Sequence, residues 1–110
     1  MSLRRQQSRF LLLLANLIKF AYSQGYELTG GDLWAKNGHR DGSYHYKRLA
    51  ADLNLFKDGR YLTASEDYLM LGEYWESLDP ECTWGGRWDM ETKTEGHQGD
   101  GNHFSYGEKK

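Results

Sequence analysis

With 110 residues, 38% of them hydrophobic and 27% charged, the chain has the length of one domain, spanning 1–110, and the composition of a folded protein rather than a disordered one. Its net charge of -2 offers no basic footprint, which argues against nucleic acid or an anionic membrane as its partner. The single cysteine, Cys82, excludes an internal disulfide and a cysteine-held zinc, so any metal must be held by histidine and carboxylate. Cys82 itself reads as a small, half-buried thiol rather than a nucleophile.

The chain opens with Arg4, Arg5 and Arg9 ahead of a short apolar run that Asn16 and Lys19 interrupt. A polar stripe of Arg5, Arg9, Asn16, Lys19 and Ser23 recurs at helical spacing. Opposite it lie Phe10, Leu11, Leu13, Leu14, Leu17, Ile18 and Ala21, so the pattern predicts an amphipathic helix over 6–24. Gly25 ends it in the left-handed conformation. The run falls short of the roughly 20 apolar residues of a membrane span. It also has no clear cleavage site of a secreted leader. The expectation is a chain that is cytoplasmic at synthesis, without stable membrane association; an anchor over 9–22 is the competing reading.

Residues 26–29 alternate as a short strand, broken at Gly30-Gly31. A glycine-punctuated loop follows over 35–42, holding Lys36, His39 and Arg40. The most strand-like segment is 49–56, with Leu49, Ala51, Leu53 and Leu55 on one face and Ala50, Asp52, Asn54 and Phe56 on the other. Asp58-Gly59 signals a hairpin turn into Tyr61-Leu62. Thr63 or Ser65 is expected to cap a helix with Glu66 in a capping box, and Asp79-Pro80 to end it near Leu78. Thr83-Trp84-Gly85-Gly86-Arg87-Trp88 reads as a short strand or turn, 89–99 as a polar rim loop, 102–106 as a closing strand and 107–110 as a frayed tail. The sum is an α+β fold: a small antiparallel sheet with helices on one face.

Two stretches carry chemistry. His45 and Asp52 stand seven apart, and Asp100-Gly101-Asn102-His103 adds a second histidine with a carboxylate three residues before it. Taken singly, a His-x6-Asp spacing is what chance supplies, and Asp-Gly-Asn-His reads as a turn. Together they form a sufficient shell for one catalytic zinc, which needs three protein ligands and an open position. An unpaired Asp52 in an otherwise apolar strand would also be costly. Seven is odd, so His45 and Asp52 would face opposite sides of one straight strand. His45 must therefore act from the loop before the strand, as the more mobile partner, with Asp52 as the anchor. Asp100 is left to handle protons as general base and acid, and Ser43 to hold the His45 loop or its imidazole tautomer. His39 and His97 read as solvated loop residues.

Ser43-x-His45-x4-Ala50-x-Asp52 with Asp100-x-x-His103 resembles the M15 family of zinc peptidases. That family includes D-alanyl-D-alanine carboxypeptidases and phage endolysins that cut L-alanyl-D-glutamate bonds. The run from Leu49 to Gly59, Gly72-Glu73-Tyr74-Trp75, Trp84-Gly85-Gly86-Arg87 and the stretch from Asp100 to Ser105 look like a small phage or prophage branch, so the likeness covers nearly the whole chain. The resemblance implies a Hedgehog/D,D-peptidase fold and one zinc held by His45, Asp52 and His103, with Asp100 catalytic. It further implies a peptidoglycan peptide as substrate and action on the cell wall after holin-dependent release. A monomer is expected.

The sequence departs from that pattern in two places. Arg48 stands where the family has glycine, and the stretch 32–36 lacks the family's substrate-holding arginine, for which Arg40 or Lys36 could substitute. The alternatives are a D-Ala-D-Ala carboxypeptidase and a catalytically weak, zinc-containing wall-binding module.

Overall fold

The computed structural model describes residues 1–34, 38, 42–88 and 100–108. Helix α1 spans Leu3–Ser23, three residues earlier at its start than the apolar periodicity suggests, because the Ser2 hydroxyl accepts the Arg5 N–H and caps it. Gln24 closes the helix and Gly25 follows at φ +86°, the left-handed turn expected of it. Phe10, Leu13, Leu14, Leu17 and Ala21 are buried. Leu11, expected on the same face, is 65% exposed. It belongs with Leu12 on the outer side, since the stripe that meets the core is narrower than the apolar content of the sequence. Among the described residues no helix is long and apolar enough to cross a membrane.

Among the described residues five strands form one antiparallel sheet: β1 (Glu27–Gly30), β2 (Ala50–Lys57), β3 (Arg60–Leu62), β4 (Cys82–Trp84) and β5 (His103–Tyr106). Their order is β1-β2-β5-β4, with β3 paired to the far end of β2. The β2–β3 hairpin turns at Asp58 (φ +52°) and Gly59 (φ +80°), the two left-handed residues that a two-residue turn requires. Beyond β1 the pairing continues, Gly31 N–H donating to the Asp52 carbonyl and Asp52 N–H to that of Asp32.

Alternation along β2 separates two surfaces. Ala51, Leu53 and Leu55 join Phe104, Tyr106, Cys82 and Trp84 in a core shared with Leu49, α1 and α2 (Leu69–Leu78). Asp52, Asn54, His103 and Ser105 belong to the other face. Cys82 is fully buried rather than half-buried. Helix α2 is entered through a 3₁₀ turn, Ser65–Tyr68, and ends at Leu78 before Asp79-Pro80. Neither Thr63 nor Ser65 caps it. Instead the Asp67 carboxylate accepts the Ala64 N–H, so the capping contact is made by an acid inside the first turn.

Trp84 ties these layers to the far side of the sheet. Its indole lies so close to Gly72 and Gly86 that a Cβ on either would sit 2.1 Å from the ring, and its N–H donates to the Gly101 carbonyl at 2.6 Å. The Trp75 indole N–H is shared by the carbonyls of Thr83 and Ser105, each at 3.1 Å, across β4 and β5. Two buried indoles thus hold β5, and the turn that leads into it, against α2.

Candidate metal centre

His45 stands in a tight turn immediately before β2. The turn is closed by hydrogen bonds from Tyr46 N to Ser43 O, Lys47 N to Tyr44 O, Arg48 N to His45 O and Leu49 N to Tyr44 O. Arg48 sits in it at φ +58°, a left-handed position that suits glycine and costs other residues about 1 kcal/mol or more. The Arg48 guanidinium lies over the Trp34 ring, 4.5 Å from its centroid. Ser43 accepts the His45 backbone N–H at 3.3 Å, so of its two expected roles it performs the first, holding the loop. The order of burial is the reverse of a mobile His45. Its side chain is 3% exposed, against 22% for Asp52 and 13% for His103.

Asp52 and His103 are directly opposite each other in the β2–β5 register. The pairing sets the two side chains side by side on one face, and the chain bends back from the turn to add His45 above them. His45 Nε2 and His103 Nδ1 each lie 3.3 Å from Asp52 Oδ1, and each of the three residues offers a ligand atom within 4.8 Å of the others. The His45 and His103 rings meet edge to face, with centroids 5.2 Å apart. Trp88 flanks His103 at 5.4 Å.

The 3.3 Å separations are those of long hydrogen bonds and equally of two ligands on one metal ion. Charge-assisted N–H···O hydrogen bonds settle near about 2.7–2.9 Å. Two ligands of one tetrahedral zinc, with bonds of about 2.0–2.1 Å, stand about 3.3 Å apart. His45, Asp52 and His103 therefore form a group that could hold a single metal ion, with spacings matching two edges of such a site.

The electrostatics follow from the same contacts. Burial pushes the Asp52 carboxyl up, but hydrogen bonds from His103 and His45 outweigh it and bring it down to about 2. For His103, burial disfavours the imidazolium, yet the carboxylates of Asp52 and Glu108 prevail and raise it to about 9. In the metal-free protein His103 is thus a proton-bearing ring between two anions, and a metal arriving at Nδ1 must displace a proton.

Asp100 begins the turn into β5, its carbonyl accepting the His103 N–H at 3.0 Å. A Cβ on Gly85 would meet the Cβ atoms of Asp100 at 3.0 Å and His103 at 2.9 Å, so both side chains leave the turn against the same glycine. Asp100 is beside the three-residue group and outside it. Lys36 and Arg40, together with His39, His97 and the 89–99 loop, lie outside the described residues.

Two neighbours of the centre were not legible as such. Trp88 is one. The other is Glu108, in the segment expected to fray. Gly107 turns at φ +84°, its N–H donates to the Glu81 carbonyl at 2.7 Å, and its own carbonyl accepts the Tyr44 hydroxyl at 3.1 Å. Glu108 is thereby folded back along β5, its Oε1 2.8 Å from His103 Nε2 and accepting the Ser105 hydroxyl at 2.7 Å. A glycine just after a strand was the one available signal of that reversal.

Compared with protein-family models and with curated proteins, the chain matches none.

Proposed function

We propose that the protein is a zinc-dependent peptidase that hydrolyses an amide bond in bacterial peptidoglycan stem peptides, as an endopeptidase of the L-Ala-D-Glu type serving phage lysis. The observation that carries this reading is the convergence of His45 Nε2, Asp52 Oδ1 and His103 Nδ1 at zinc-ligand spacing. The Ser-x-His, Ala-x-Asp and Asp-x-x-His motifs, and an antiparallel sheet with its helices on the opposite face, support the same reading and a Hedgehog/D,D-peptidase type of fold.

His45, Asp52 and His103 would hold the ion. When bound, zinc supplies Lewis-acid chemistry, polarising a carbonyl and lowering the pKa of water toward roughly 7. The chain's own residues do the rest. Asp100 removes a proton from the attacking water and returns it to the leaving amine. The Trp84–Gly101 and Gly85–His103 hydrogen bonds hold the Asp100 turn in place while this happens. Trp88 lies against the His103 ring and flanks the centre. Access to the wall would follow release through a holin.

Metal content by mass spectrometry, with digestion of purified peptidoglycan and mass analysis of the products, tests the proposal. One zinc per chain and new amino termini on glutamate are expected. Released D-alanine would instead assign a carboxypeptidase, and zinc with wall binding but no cleavage a binding module. A zinc-free protein, or undiminished cleavage after Asp100→Ala, overturns the assignment.

A further inference from the structure

We propose that Glu108 is a positioning residue of this centre: it accepts the Nε2–H of His103 and so presents Nδ1 to the metal. The inference rests on the reading of His45, Asp52 and His103 as metal ligands.

A neutral imidazole has one N–H and one lone pair, and the partner of one nitrogen decides the role of the other. An ionised carboxylate only accepts hydrogen bonds, so a glutamate at Nε2 makes Nε2 the donor and leaves the lone pair on Nδ1. The two sides of the His103 ring differ in this sense. Nε2 to Glu108 is 2.8 Å, the length of a charge-assisted hydrogen bond, whereas Nδ1 to Asp52 is 3.3 Å, the edge of a shared coordination shell.

The carboxylate is itself built in. Ser105, next but one along β5 and on the same face as His103, donates to the same Oε1 at 2.7 Å. Thr83 on β4 donates to the Glu108 backbone carbonyl at 2.7 Å. The left-handed Gly107 makes the reversal that brings Glu108 back to the ring. These contacts fix both the backbone and the side-chain oxygen of Glu108, and through them the plane of the imidazole.

Partners of this kind on a metal-binding histidine are worth roughly 10- to 100-fold in metal affinity. The experiment is zinc affinity of the full chain by competition with a chromophoric chelator at fixed pH. Long-range proton–nitrogen correlation on the zinc-loaded protein then reports which His103 nitrogen is protonated. Glu108→Ala should weaken zinc binding by about tenfold or more and expose the His103 Nε2 proton to rapid exchange. Glu108→Gln, which keeps an acceptor oxygen and the shape, should lie between it and wild type. Thr83→Ala loosens the same segment but leaves the carboxylate in place, so it should cost clearly less zinc affinity than Glu108→Ala.

Folded Glu108→Ala with wild-type affinity and an unchanged Nε2 proton overturns the inference and leaves the metal reading standing. Equal losses in Thr83→Ala and Glu108→Ala, which mark a purely structural tail, overturn it too. If Glu108→Ala fails to fold, Glu108→Gln decides, and wild-type affinity in that variant refutes the role. A wild-type chain that takes up no zinc overturns the metal reading itself, and this inference with it.

Discussion

The two histidines of the centre are held by different means. His45 is fixed through its backbone: a closed turn, a serine hydroxyl on its N–H, and anchorage to α1, where the Gln7 side chain donates to the Lys47 carbonyl. The hydrogen bonds that close its turn lie within five residues, and it is the more buried ring. His103 is fixed through its side chain and through register. It stands across from Asp52 because β5 pairs with β2, and its ring is aligned by Glu108 on a segment folded back beyond the strand. One arm is organised locally and the other by parts of the chain brought together only on folding.

Removing the residue common to both arms should have the largest effect. Asp52→Ala takes away the oxygen that both rings share, and the expected outcome is loss of stoichiometric zinc by metal analysis. Asp100→Asn should separate chemistry from binding, lowering peptidoglycan cleavage by about 10²- to 10⁴-fold while zinc content stays at one per chain. Zinc uptake by Asp52→Ala equal to wild type would show that the arms do not converge on a metal at all.

Proton competition distinguishes the arms further. The His103 pKa is raised to about 9 in the metal-free protein, so an ion bound at Nδ1 would have to displace a proton. Apparent zinc affinity should therefore climb by about tenfold per pH unit between pH 7 and 9, in competition titrations at several pH values. Stability of the metal-free protein has a definite sign at each end. The His103 pKa is raised above 6.5, so its contribution is fully present below that value and lost as pH rises through about 9. The Asp52 pKa is lowered from 3.8, so its contribution is present above that value and lost as pH falls through about 2. Thermal melts of the metal-free chain should fall off on both sides, and melts that are flat between pH 7 and 10 would count against the His103 ion-pair network.

Smaller effects belong to the locally built arm. Ser43→Ala removes one part-buried hydrogen bond and should cost about 1 kcal/mol, with zinc affinity nearly unchanged. Arg48→Gly relieves a left-handed conformation worth about 1 kcal/mol. It also loses the stack on Trp34, worth about 0.5–1 kcal/mol, and adds glycine's chain entropy. A net change in denaturant midpoint near zero is expected, and a clear stabilisation would show that the Trp34 contact contributes nothing.

Several particulars explain what could be read in advance. The parity of the His45–Asp52 spacing was enough to move His45 off the strand and onto the preceding turn, where it lies. The Asp-Gly hairpin, the Gly25 helix end and the apolar face of β2 were legible because each is decided by neighbours within a few residues. The cap differs from the expected one because Ala64, between Thr63 and Ser65, takes the N-cap position of the entering 3₁₀ turn, and Asp67 accepts its N–H. Leu11 was misplaced because leucine content alone does not show how wide a stripe the core will accept.

Within the segment expected to fray, residues 107 and 108 are ordered for a different reason. Gly107 and Glu108 have the composition of a frayed end, and their order comes from Thr83, Tyr44, Glu81 and Ser105, none of which the local pattern connects to them. Sequence by itself determined the periodicities, the turns and the residue types able to take part in metal chemistry, since backbone preference and side-chain chemistry are local properties. Only the tertiary structure decided that Asp52 faces His103 rather than a neighbour one register away, and that Trp84 fits between two glycines to hold the Asp100 turn. It alone put a carboxylate behind the His103 ring. Those outcomes depend on packing between segments far apart in the chain, where a one-residue slip in register would send every side chain to the other face.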